Sequence, residues 1–80
     1  MAMAILPSMS GEDAKRVFEA FGFAYDRTRG SHCILKKAGH QYVLSIPMHA
    51  GKMLGKGLLR SLIRDAGITV DDFVDALNSS

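Results

Sequence analysis

The sequence predicts a small α+β domain. A three-stranded antiparallel sheet carries helices on one face, in the order α-β-β-β-α, and a short C-terminal helix follows. Three observations lead there. Ala14, Val17, Phe18 and Phe21 form a helical apolar stripe that stops at Gly22. Short alternating runs, separated by glycine-bearing turns, fill the middle of the chain. A second helical stripe, Leu59, Leu62, Ile63 and Ala66, then stops at Gly67. With 80 residues there is room for one domain. A chain of that size buries only about 60% of the surface its unfolded form exposes, so one thin core is expected.

Each element has its own local reason. Ser10 is a good N-cap for the first helix, with Asp13 at the capping-box position. Glu12 and Asp13 fall in the first turn, where the helix dipole favours anions. Gly22 supplies the left-handed stop. The first strand is expected over residues 23–27, with Phe23 and Tyr25 on one side and Ala24 and Asp26 on the other. A turn at Thr28, Arg29 and Gly30 leads to a second strand over 31–37. There His32, Ile34 and Lys36 share one face, and Ser31, Cys33 and Leu35 the other. A turn at 38–40 leads to a third strand over 41–46, with Tyr42, Leu44 and Ile46 opposed to Val43 and Ser45. Pro47 ends that ladder because it lacks a donor. A loop rich in glycine and lysine precedes the second helix, expected over 58–67. Thr69 and Asp72 then form a capping box for a third helix with Val70, Phe73, Val74 and Leu77 on its apolar side. Residues 10–77 are read as the domain, 1–9 as an N-terminal extension that could be disordered, and 78–80 as a tail. Two helices on one sheet face is the plan of double-stranded RNA-binding domains, a likeness that says little about function by itself.

The net charge of +2 is mild. Its distribution says more, because no Asp or Glu lies between Arg27 and Arg60. The acids sit in the segments on either side. Such segregation can make one basic face that favours polyanions. Cys33 is the single cysteine, so neither a disulfide framework nor a cysteine-rich metal site is expected, and a reducing cytoplasm fits. The N-terminal MAMAILP is too short for a signal-peptide core and has no basic leader, and no run approaches membrane-spanning length.

The chemistry concentrates in RTRGSHCILKK, residues 27–37. An imidazole exchanges protons near neutral pH, which makes His32 the first candidate. Gly30 allows close approach of a phosphate, Ser31 offers a hydroxyl, and Arg27, Arg29, Lys36 and Lys37 can bind phosphates. Those are the parts that RNA cleavage without a metal requires: a proton carrier, and cations for the developing charge. The bland alternative is a strand histidine that is structural or merely exposed. His49, just after Pro47, could reach the same sheet edge, and its bland reading is a loop histidine. His40 is read as a solvated turn residue. The three histidines lack helical metal-ligand spacing and nearby carboxylates, so no metal and no cofactor is expected. GKMLGKG lacks the spacing of a phosphate-loop motif, although Lys52 and Lys56 could still bind a backbone phosphate.

FEAFGFAYDRTRGSHCILKK, followed by IPMHAGKMLGKGLLRSLIRDAGIT, resembles the HicA toxin family over residues 10–73. The likeness rests on a helix ending in GF, a GSH on the second strand, a P-x-H after the third, and GLLRSLIRDAG on the next helix. Cys33 stands where an aromatic or histidine residue is common. The resemblance implies a fold like that of double-stranded RNA-binding domains and ribosome-independent cleavage of single-stranded mRNA. It also implies neutralisation by a HicB-type antitoxin. It maps the catalytic histidine to His32, the second family histidine to His49, and the structural glycine to Gly22. The antitoxin is expected to bury the His32 face, setting acidic groups against Arg29, Lys36 or Arg60. Two other classes compete: a non-catalytic RNA-binding module, which needs no titratable centre, and a protein whose basic face meets an acidic partner.

Overall fold

The computed structural model describes residues 5–79. Its elements are α1 (Gly11–Ala20), β1 (Ala24–Arg29), β2 (His32–Lys36), β3 (Leu44–Pro47), α2 (Lys56–Asp65) and α3 (Val70–Ser79). The strands form one antiparallel sheet in the order β1-β2-β3. The expected α-β-β-β-α plan with a further C-terminal helix is the observed one.

Capping explains where the helices begin and end. The Ser10 hydroxyl accepts from the Asp13 amide at 3.2 Å. At the other end of α1 the amides of Gly22 and Phe23 donate to the carbonyls of Glu19 and Phe18, and Gly22 takes φ 94°. That is a Schellman motif, which only a residue at ease with positive φ can close. The same pair of bonds ends α2, from Gly67 to Arg64 and from Ile68 to Ile63. The expected capping box starts α3: Thr69 Oγ1 accepts from the Asp72 amide, and Asp72 Oδ2 accepts from the Thr69 amide.

The helices bury their apolar stripes on one face of the sheet. Leu35, Leu44 and Ile46 meet Ala14, Phe18, Leu59 and Phe73, all fully enclosed. Phe18 sits at the centre, with the Phe73 ring 5.2 Å away and the Phe23 ring edge-on at 6.3 Å. Burying one such side chain contributes about 1.5–3 kcal/mol. α1 crosses the end of β3 at close range. A Cβ on Gly11 would collide with the Pro47 carbonyl oxygen and lie 2.9 Å from the Met48 sulfur.

Several boundaries differ from expectation. β1 runs on to Arg29, so the turn is only Gly30 and Ser31. Gly30, with φ 57°, occupies the position where two-residue II′ hairpin turns take glycine. Phe23 precedes the strand because the helix cap has already turned it into the core. A bulge between Tyr25 and Arg27 leaves Asp26 out of the pairing. β3 starts at Leu44, and residues 41–43 leave the ladder. His40 accounts for this: it is half-buried, its Nε2 bonds the Asp65 carbonyl at 2.7 Å, and its ring meets Phe23 at 5.3 Å. The turn histidine expected to be solvated is thus a tie between the sheet connection and the end of α2. α2 begins at Lys56, two residues before the expected start.

The first nine residues were expected to form an extension outside the domain. Of these, Leu6 and Met9 are buried in the core, and the Met9 carbonyl accepts from the Leu54 amide at 2.8 Å. Residues 1–4 lie outside the described residues, as does Ser80 of the expected tail. Asn78 and Ser79, read as tail, continue α3. Among the described residues no helix is long and apolar enough to cross a membrane.

Candidate active site

The hairpin turn decides where the site lies. Its two residues bring Arg29 and His32 directly opposite each other, at the last pair of the β1–β2 ladder. Side chains of opposed residues share one face of a sheet. The next matched positions, Arg27, Ile34 and Ser45, fall on that same face, which no helix among the described residues covers. Arg27, Arg29, Gly30, His32, Ile34, Val43 and Ser45 together line an open hollow of about 540 Å³.

His32 is exposed. Its Nδ1 lies 2.9 Å from the hydroxyl of Ser45, so one ring nitrogen is engaged and Nε2 is left for other work. Ile34 is buried at the base of the hollow although it faces away from the main core. The walls are basic. Asp26, displaced by the bulge, pairs with Arg27 and lies 3.6 Å from the Lys36 ammonium. Arg29 therefore adjoins His32, while Arg27 and Lys36 share a carboxylate.

The other candidate residues separate into distinct places. Ser31 points away from the hollow. Its hydroxyl lies 3.5 Å from His49 Nε2, and its carbonyl accepts from the Met48 amide at 2.7 Å. Hairpin turn and His49 loop are thereby tied together. His49 lines a second hollow with Ser10, Gly11 and Glu12, and shares a third with Lys52 and Leu58. Lys37 belongs to neither. Its ammonium lies 5.7 Å from the centre of the Phe23 ring, and its stem would touch a Cβ on Gly22. Lys56 is exposed at the start of α2. Gly22 closes the cap of α1.

Cys33 lies beside His32 in sequence but on the opposite, core side. Burial pushes its thiol above the ordinary value, the Lys15 ammonium pulls it part of the way back, and the Glu12 and Glu19 carboxylates add to the rise. A buried thiol held protonated is packing rather than a nucleophile.

Ser45 and Val43 were not singled out from the sequence. Their only advance signal was the alternation that set them opposite Leu44 and Ile46. The assembled groups are an imidazole and a guanidinium at opposed strand positions on an open basic surface. Such a surface suits a chain-like polyanion better than a small metabolite, which needs enclosure.

The family model described as the HicA toxin of bacterial toxin-antitoxin matches residues 11–68. No curated protein matches the chain.

Proposed function

This chain belongs to the HicA toxin family, the toxin component of a bacterial toxin-antitoxin pair, and on that premise we propose that it is an endoribonuclease that cleaves mRNA in the cytoplasm with His32 as its proton-transfer group. The observation that carries this reading is the exposed His32 opposite Arg29 on the uncovered sheet face.

In the proposed reaction the ribose 2′-hydroxyl gives its proton to a base and its oxygen attacks the adjacent phosphorus. The bond from phosphorus to the 5′-oxygen breaks, and an acid protonates that oxygen. The products are a 2′,3′-cyclic phosphate and a free 5′-hydroxyl. His32 serves as acid or base, a role worth about 10²–10⁴ in rate for one group. Arg29, with Arg27 and Lys36 beyond it, holds the phosphate as negative charge builds on its oxygens. Gly30 lets the backbone of the RNA come close, and Lys52 and Lys56 bind phosphates further along the strand. His49, tied to Ser31, supports the turn from the loop side and contacts RNA there, away from the His32 hollow. The reaction needs no metal, and a HicB-type antitoxin stops it by covering the His32 face.

Single-stranded RNA incubated with the purified protein and a metal chelator tests this. Fragments ending in cyclic phosphate are expected, and cognate antitoxin should suppress them. Binding without cleavage would leave a non-catalytic RNA-binding module, and no binding even at low salt would leave an acidic protein as the partner.

A further inference from the structure

We infer that Ser45 is a positioning residue for His32, holding the imidazole with its proton on Nδ1 so that Nε2 is the atom that exchanges protons with RNA. The inference rests on the nuclease reading above for its purpose, but its geometry stands alone. Ser45 pairs with Ile34 and His32 with Pro47, so serine and histidine are diagonal neighbours on one face of adjacent strands. Their side chains meet at 2.9 Å through Nδ1. Ser45 is half-buried in the sheet, so its backbone is fixed by the ladder rather than by a loop.

The choice of a hydroxyl matters. A base that takes a proton at Nε2, or an acid that gives one there, keeps Nδ1 protonated throughout. A serine hydroxyl can donate to a ring nitrogen or accept from one; the acceptor role is the one that serves this cycle, because it holds whether the ring is neutral or charged. A carboxylate in the same place would favour the charged ring strongly and hinder return of the proton. Water alone would leave the neutral ring in its commoner form, with the proton on Nε2 and the wrong nitrogen free. Ser45 thus orients the ring through Nδ1 and, as an acceptor there, leaves Nε2 to the RNA.

The test uses the full-length protein and its Ser45→Ala and Ser45→Thr variants. Nitrogen-15 spectra of the imidazoles, recorded well above the ordinary imidazole range, report the tautomer, with the His32 signals identified by their loss in His32→Gln. Wild type should carry the proton on Nδ1. Ser45→Ala should move it to Nε2 and cleave RNA about tenfold more slowly, the effect of one hydrogen bond, at unchanged KM. Ser45→Thr should restore both. A wild-type ring protonated on Nε2 overturns the inference, as does Ser45→Ala with wild-type tautomer and rate. Should Ser45→Ala fail to fold, the wild-type spectrum and the threonine variant decide. If wild type does not cleave RNA at all, the nuclease reading falls, and the tautomer still decides the assignment of Ser45.

Discussion

At the scale of single residues, neighbours across the sheet matter more than neighbours along the chain. Arg29 and His32 are brought opposite by the turn, while Asp26 draws on Arg27 and Lys36. Arg29→Ala should therefore weaken RNA binding and lower the salt dependence of affinity by about one phosphate contact. Lys37→Ala, whose ammonium lies by the Phe23 ring, should leave that slope unchanged; titration of RNA binding against salt compares the two. The sequence made His32, Gly30 and the arginines legible because glycine, serine and histidine stand together in one run. Ser45 was not legible as a partner. It is 13 residues from His32, and only the strand register joins them. His40 was misjudged for the same reason, since its partner Asp65 lies 25 residues further on.

Elements were easiest to read where caps are local. Ser10, Gly22, Gly67 and the Thr69–Asp72 box each act within a few residues, and all behave as expected. Strand limits were harder, because alternation continues through residues 41–43 although the chain there is drawn off by His40. The bulge at Asp26 gave no warning either, since one extra residue in a pairing leaves no mark on composition. Gly11 is the instructive omission: a glycine in the first turn of a helix looks like a mere defect in propensity. It is required because α1 crosses the Pro47 carbonyl there. Gly11→Ala should cost about 1–3 kcal/mol by overpacking, whereas Gly57→Ala, with open space around it, should be harmless or slightly stabilising. Urea unfolding midpoints of the two variants make the comparison.

The whole molecule has one closed face and one open one. Among the described residues, α1, α2 and α3 together with Leu6 and Met9 supply the core on the closed face. The open face keeps Arg27, Arg29, His32 and Ser45 accessible around a shallow hollow. Hydrophobic periodicity predicted the closed face well. It could not predict which side chains would gather on the open one, because polar residues carry no periodic signal of their own. The N-terminal segment was misread for a related reason: Leu6 and Met9 belong to no helix or strand stripe, and only tertiary packing gives them a place. The measurement that tests the central claim most directly is the single-turnover cleavage rate of His32→Ala against wild type, with a chelator present and RNA affinity measured alongside. The account predicts a rate lower by about 10²–10⁴, with affinity little changed and the fold intact by circular dichroism. Cleavage by His32→Ala at the wild-type rate would contradict it.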